Sequence, residues 1–195
     1  MKNKIIPMLV FILLLGGMLT TLLVGVDTYT APMIQRNQEL KQKTTILKVL
    51  KIGFDPKNSE NIEQLFQDNV TLENTQPKAH YLTKDGRKAF IFSGTGFMGP
   101  IIGVLSMETG DQTINNIEII QQEETPGLGS RITERKFLDQ FAGKTFTPEL
   151  TLVPEGQGDS ETEIDGITGA TMSSKALTGI LNQQYSEFHQ SVAGE

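Results

Sequence analysis

The sequence of 195 residues contains no cysteine and only two histidines, His80 and His189. Without cysteine, the chain has no disulfide framework, thiolate nucleophile, iron–sulfur cluster or cysteine-ligated zinc. The two histidines lie far apart in sequence, so a histidine-rich metal site is not indicated. We therefore predict a protein without metal ligands.

The start of the chain carries little charge, since Lys2 and Lys4 are the only charged residues before Asp27. Setting aside those two of the 17 basic residues leaves 15 against 23 acidic residues, a balance of −8. A surface of this sign repels a phosphate backbone, so nucleic acid is not a predicted partner.

Residues 5–26 form an uninterrupted uncharged run, which corresponds to about 33 Å of helix at the usual rise per residue. The two lysines before this run and the aspartate after it favour a cytoplasmic N-terminus, residues 1–4, with the rest of the chain outside. A cleaved signal peptide is the alternative, but its apolar region is usually about 7 to 15 residues long and ends in a small-x-small site. Residues 23–27 offer no convincing site of that kind, so we predict a retained single-pass anchor in the inner (plasma) membrane.

A helical connector is predicted at 27–66, because apolar residues recur at helical spacing over 31–52 and again over a short stretch at 61–66. After the connector, the spacing of apolar residues changes from helical to the alternation that is typical of strands. The predicted elements are strands at 79–82, 88–92, 101–107 and 114–120, a helix at 133–141 and a strand at 150–153. An Asp85-Gly86 turn joins the first two strands, and a turn around Gly110-Asp111 joins the next two. The fold class is therefore α+β, an antiparallel-rich mixed sheet with flanking helices after one transmembrane helix. Residues 67–195 form its extracytoplasmic domain.

The segment DGITGATMSS, residues 165–174, precedes a helical pattern predicted at 175–189. Its small residues allow close approach to a ligand, and the free amides at a helix start form a ready phosphate site. An ordinary helix cap built from the same hydroxyls is the alternative. The candidate ligand contacts in this segment are Asp165, Thr168, Gly169, Ala170, Thr171, Ser173 and Ser174.

Two further glycine-containing segments stand out. Residues 94–99 match a GxGxxG pattern, but Pro100 and a strand pattern follow where a dinucleotide site requires a helix, so we predict a tight turn. In the segment ETPGLG, residues 124–129, proline fixes one dihedral angle and the glycines permit positive φ, which favours a defined loop with exposed amides. An ordinary connection from strand to helix is the alternative for this loop.

Together, the segments at 96–101, 124–129 and 165–173 resemble the ordered motifs of the covalent FMN-binding domain. This domain occurs in the G subunit of Rnf electron-transport complexes and in the C subunit of the sodium-pumping NADH:quinone oxidoreductase. The resemblance covers about 79–184, together with the N-terminal anchor. It implies that the hydroxyl oxygen of Thr171 carries FMN as a phosphodiester. It also implies maturation by a flavin transferase that uses FAD, and partnership with other membrane subunits.

The resemblance further implies an electron-transfer subunit rather than an enzyme by itself, with no catalytic acid or base. In an Rnf-type complex, electrons would flow between ferredoxin and NAD and this flow would be coupled to ion transport. The flavin ring is expected between the 96–99 turn and the 124–129 loop, and the phosphate near Thr168, Ser173 and Ser174. The expected contacts in the turn and the loop are Phe97, Met98, Glu124, Thr125, Gly127, Leu128 and Gly129.

One departure from the family pattern is Gln122, which stands where members often have histidine. Two alternative functions remain open at this point. An independent extracytoplasmic flavin reductase would need a substrate pocket beside the flavin, and a non-redox anchored binding module would carry no flavin.

Overall fold

The computed structural model describes residues 5–110 and 112–192. The parts of the predictions that fall on residues 1–4, Asp111 and 193–195 lie outside these described residues. The chain divides after Leu40 into two compact units.

The first unit consists of residues of helix α1, which runs from Ile5 to Val49. The helix is long and apolar enough to cross a membrane, and its apolar side chains in this unit are exposed. The helix predicted over 31–52 is present to Val49 as the continuation of α1, with Pro32 inside it. A proline removes one backbone hydrogen bond, and the remaining bonds of α1 continue on both sides of it.

The second unit is built on a five-stranded antiparallel sheet in which each strand pairs with the next along the chain. The strands are β1 Val70–Glu73, β2 His80–Thr83, β3 Lys88–Thr95, β4 Pro100–Met107 and β5 Ile114–Gln122. Strands β2 to β5 confirm the four predicted strands, and Gly86 has the positive φ of 84° that its turn requires. Strand β1 was not predicted.

Successive side chains of β3 point to opposite faces of the sheet, and each face packs against its own hydrophobic core. Phe90 and Phe92 point into the larger core, while Ala89 and Ile91 point to the other face. The second face is covered by the last turns of α1, including Ile46 and Leu47, and by helix α2, Ser59–Asn69. The sheet is therefore buried on both faces, which explains the apolar content of its central strands.

The segment after β5 contains two 3₁₀ helices, Gly129–Thr133 and Asp139–Phe141, which flank helix α3, Arg135–Leu138. This replaces the single helix predicted at 133–141. Strand β6, Thr151–Val153, then pairs in parallel with a strand that was not predicted, β7, Glu163–Asp165. Helix α4, Thr171–Val192, packs on the larger core. The α+β class is confirmed, and in the described residues the parallel pairing lies in the small second sheet.

Candidate functional site

Helix α4 begins at Thr171, four residues earlier than predicted, so the predicted attachment residue is the first residue of the helix. The amide of Ser174 donates to the carbonyl of Ala170 at 3.0 Å. The amides of Thr171, Met172 and Ser173 precede this bond and lie at the positive end of the helix dipole. Thr171 is exposed, and it lies beside these amides at the start of the helix.

The turn before α4 is fixed by its own backbone and by one buried hydroxyl. Gly169 adopts a positive φ of 84°, and the amide of Ala170 donates to the carbonyl of Ile167 at 2.8 Å. The Ser174 hydroxyl accepts from the amide of Ile167 at 3.3 Å and donates to the carbonyl of Ala170 at 3.1 Å. The buried serine therefore holds the two ends of the turn together.

Glu124 joins all three sequence motifs. One carboxylate oxygen, Oε1, accepts from the amides of Phe97 and Met98 at 2.7 and 3.1 Å. The other, Oε2, accepts from the hydroxyl of Ser173 at 2.6 Å. The side chain of Glu124 thus fixes the β3–β4 turn and the first turn of α4 to the loop that carries it.

Two glycines make this arrangement possible because side chains there would collide with the carboxylate. A Cβ on Gly96 would lie 2.3 Å from Oε1 of Glu124. A Cβ on Gly129 would lie 2.4 Å from Oγ of Ser173 and 2.7 Å from Oε2 of Glu124. The GxGxxG pattern is confirmed as a turn between antiparallel strands, in which the amide of Gly96 donates to the carbonyl of Gly99 at 2.8 Å.

A cavity of about 330 Å³ opens where the three motifs meet. Its lining includes the exposed side chains of Phe97, Leu128 and Met172, and the buried carboxylate of Glu124 forms part of its wall. Thr171 also lines it. Met98 is 63% exposed and is not among the lining residues. The cavity therefore has apolar surfaces beside the free amides of a helix start, as a planar ring with a phosphate tail requires. The lining residues are Phe97, Glu124, Thr125, Leu128, Gly129, Gly169, Ala170, Thr171, Met172 and Ser173.

A second cavity, of about 720 Å³, lies between β6 and α4, and Gly169 and Thr171 also line it. Its wall is formed by apolar residues such as Leu152 and Ile167 and by the side of α4 that carries Lys175. Lys175 follows Thr171 by four residues and so lies on the same side of the helix. Thr171 therefore borders two cavities.

The other predicted residues support the turn from outside the smaller cavity. Asp165 accepts from the amides of Gln157 and Gly158 at 3.0 and 2.8 Å, which orders the preceding loop. Glu155 accepts from the amide of Thr168 at 3.2 Å, and its hydrogen bonds with Thr168 and Lys136 lower its pKa to about 2.

Gln122, the departure from the family pattern, accepts from the amide of Glu124 at 2.6 Å. This hydrogen bond orders the backbone at the start of the loop. Further along the same loop, Gly127 adopts a positive φ of 74°, as predicted.

Met172 and Lys175 line the cavities but were not among the predicted site residues. Helical spacing from Thr171 would have indicated Lys175, had the helix been predicted to begin at Thr171. Within residues 5–110 and 112–192, no cluster of three or more histidine, aspartate or glutamate residues could hold a metal ion.

Comparison with known proteins identifies the region that contains these motifs. Residues 96–186 match the model of the FMN-binding domain. The chain is 39% identical over 88 residues to the G subunit of the Na(+)-translocating ferredoxin:NAD(+) oxidoreductase complex of Acetobacterium woodii, and the match covers 45% of this chain and 42% of that protein. It is 34% identical over 150 residues to the C subunit of the Na(+)-translocating NADH-quinone reductase of Chlamydia pneumoniae, and this match covers 62% of this chain and 47% of that protein. The chain thus matches about half the length of these curated relatives.

The fold resembles the crystal structure of the C subunit of the Na(+)-translocating NADH-quinone reductase from Parabacteroides distasonis, with a TM-score of 0.67 and 22% sequence identity. The similarity covers 80% of this chain and 94% of that structure. The resemblance seen in the sequence is therefore confirmed: residues 96–186 match the FMN-binding domain, and the chain is related to subunits of ion-translocating electron-transport complexes.

Proposed function

Starting from an FMN-binding domain at residues 96–186, we propose that this chain carries FMN as a phosphodiester on Thr171. We further propose that it relays electrons as a membrane-anchored subunit of an Rnf-type complex that couples electron transfer between ferredoxin and NAD to ion transport. In this role it acts with other membrane subunits and is not an enzyme by itself.

The position of Thr171 is the main observation that supports FMN attachment at this residue. Thr171 is exposed, is the first residue of α4 and lines the cavity where the three motifs meet. Attachment there would leave the phosphate next to the amides of Met172 and Ser173, where a helix start favours negative charge. Lys175, one turn further along the helix, adds a positive charge on the same side. An ordinary helix cap would not require this cavity.

The residues around the smaller cavity fit a flavin ring. Phe97 and Leu128 present exposed apolar surface on its walls, and Thr125 adds a polar group at its edge. Bound FMN would supply the redox chemistry, since it can accept and release electrons one at a time. The protein would hold the ring, shield part of it from water and supply the charges around it.

The hydroxyls of Ser173 and Ser174 already have partners within the protein. A direct contact of either hydroxyl with the phosphate would require it to exchange those hydrogen bonds. The proposal therefore assigns the phosphate first to the backbone amides and to the exposed Thr168.

Attachment is tested by expressing the full chain with a flavin transferase and recording flavin fluorescence of the denatured protein in a gel. The wild type is expected to fluoresce, and Thr171→Val is expected to be dark because its side chain has no oxygen to carry the phosphate. Thr71→Val is the control, since it removes an exposed threonine hydroxyl from strand β1, outside the site, and should keep the fluorescence. A fluorescent Thr171→Val band, or a dark wild-type band beside a modified positive-control protein, would contradict the assignment.

The orientation of the chain is tested separately. We propose a cytoplasmic N-terminus and an extracytoplasmic flavin domain, based on the charges that flank the apolar run at 5–26. Because the chain has no cysteine, Lys2→Cys and Glu161→Cys each provide a single site for labelling. A membrane-impermeant maleimide applied to spheroplasts should label the cysteine at 161 and should label the one at 2 only after lysis. The reverse pattern would refute this topology.

The larger cavity favours one second candidate, an independent flavin reductase. An enzyme of this kind needs a substrate pocket beside the flavin, and the cavity between β6 and α4 borders Thr171. The isolated, flavin-loaded chain would then oxidise a nicotinamide donor with a soluble acceptor in repeated turnovers. A relay subunit would instead exchange electrons with its complex and show no such turnover alone.

A further inference from the structure

Glu124 is a buried carboxylate that has no positively charged partner among residues 5–110 and 112–192. It is 4% exposed, and its three hydrogen bonds come from neutral groups, two amides and one hydroxyl. In the described part of the chain it forms no ion pair with a lysine, arginine or histidine. Burial without a counter-ion is costly for a carboxylate and is rarely retained without a reason.

The other buried glutamate of the sheet shows the contrast. Glu118 is 8% exposed and pairs with two cations, Lys48 at 2.9 Å and Arg135. The charge of Glu118 is thus neutralised by direct ion pairs, whereas the charge of Glu124 is only hydrogen-bonded. Of the two, Glu124 is the one that lines the cavity beside Thr171.

We infer that the uncompensated charge of Glu124 lowers the reduction potential of the flavin bound in this cavity. The inference rests on the proposed attachment of FMN to Thr171. Glu124 would act through its electric field and would exchange no electron or proton with the ring. Its second effect, fixing the turn and the loop, is structural and is separated from the first by the experiment below.

The direction follows from electrostatics. Reduction brings electrons onto the ring, and a negative charge in the cavity wall raises the energy of the reduced form relative to the oxidised form. A buried charge is poorly screened by water and salt, while an exposed charge at similar distance is largely screened. With an effective dielectric constant near 20, a unit charge across a small cavity changes the ratio of reduced to oxidised flavin by roughly tenfold or more.

The test is a spectroelectrochemical titration of the full, flavin-loaded chain in detergent at fixed pH. Glu124→Gln removes the charge and keeps an oxygen that can accept from the two amides. Its potential should shift in the positive direction by an amount equal to at least a roughly tenfold change in the flavin ratio. Glu123→Gln is the matched control, because the adjacent Glu123 is exposed and its loss should give a much smaller shift. A shift in Glu124→Gln no larger than that of the control, or a negative shift, would overturn the inference.

A second variant keeps the inference testable if Glu124→Gln misfolds. Ser173→Ala removes one hydrogen-bond donor from the carboxylate and leaves its charge less compensated, so the potential should move in the negative direction. If Glu124→Gln fails to fold or to take up flavin, an unchanged or positive shift in Ser173→Ala overturns the inference. A structural role alone would not give opposite signs in the two variants.

Failure of the proposed FMN attachment can be distinguished from failure of the inference about Glu124. A wild-type chain without covalent flavin in a denaturing gel refutes the proposed attachment and, with it, this inference. A flavin-loaded wild type whose potential does not respond to Glu124 refutes only the inference.

Discussion

Replacing Gly129 by alanine tests how the three motifs are held together. The added Cβ would lie 2.4 Å from Oγ of Ser173, 2.7 Å from Oε2 of Glu124 and 2.9 Å from Cβ of Glu124. Carbon contacts are comfortable only at about 3.5 Å or more, so these groups would have to move by about 1 Å. Such a movement breaks the 2.6 Å hydrogen bond between Ser173 and Glu124.

The expected loss in the free energy of unfolding combines two terms. Overpacking a tight site typically costs about 1–3 kcal/mol, and a hydrogen bond to a charged group contributes about 1.5–3 kcal/mol. Because part of the strain is relieved when the bond breaks, we expect Gly129→Ala to destabilise the protein by about 2–4 kcal/mol. The fraction of chains that carry covalent flavin should fall as well, since the first turn of α4 is displaced.

Urea denaturation of the full chain in detergent, followed by circular dichroism, measures this loss. Gly179→Ala is the control: Gly179 lies inside α4, and a Cβ there meets no atom within 4 Å. That substitution should stabilise the protein by about 0.5–1 kcal/mol, because glycine is unfavourable inside a helix. If the two variants have equal stability, the close packing around Glu124 does not exist in solution.

Two further predictions concern the scaffold. The side chain of Asn182 bonds both the amide and the carbonyl of the buried Leu150, each at 2.9 Å. Asn182→Ala should lower the free energy of unfolding by about 1–3 kcal/mol, and the exposed neighbour Gln183→Ala should change it by less than about 0.5 kcal/mol in the same urea titration. In the β2–β3 turn, hydrogen bonds from Arg87 and Thr83 lower the pKa of Asp85 to about 2. Because the folded-state pKa lies below the unfolded value of 3.8, this group stabilises the fold above about pH 4 and its contribution is lost as the pH falls toward 2. The contribution stays below about 1 kcal/mol because Asp85 is mostly exposed. Asp85→Asn should remove it, and equal pH profiles for wild type and variant between pH 5 and 2 would refute the assignment.

The sheet was predictable where the sequence alternates strongly. Strands β2 to β5 combine apolar alternation with glycine-containing turns, and all four appear near their predicted positions. Strands β1 and β7 have four and three residues and were not predicted. Strands this short show few alternations, and β1 and β7 have neither the Asp-Gly turn that marks β2 nor the alternating run LTLV that marks β6.

The start of α4 was predicted too late because its first residues are rich in hydroxyls. Serine and threonine favour turns and caps when they compete with the backbone for hydrogen bonds. Here the hydroxyls of Ser173 and Ser174 bond to Glu124 and to the preceding turn, so the backbone is free to be helical from Thr171 onward. These partners are fixed by the tertiary fold and cannot be read from the local sequence.

The composition of the site was predictable from the order of three motifs, but its internal organisation was not. Glu124 was predicted to contact the cofactor, and the structure shows it bonded to the backbone of the β3–β4 turn and to α4. That role depends on the pairing of strands β4 and β5, which places Gln122 opposite Ile101 and so brings the loop after β5 next to the β3–β4 turn. The second cavity has no sequence signature, because it forms between β6 and a helix that follows it after a long loop.

Peptide mass spectrometry is the most direct test of whether FMN is attached to Thr171. The full chain, produced together with a flavin transferase, is denatured, digested and analysed for the peptide that contains Thr171. This peptide is expected to gain the mass of FMN less one water, and fragmentation is expected to place the added mass on Thr171. An unmodified Thr171 peptide together with flavin attached elsewhere, or released on denaturation, would contradict it.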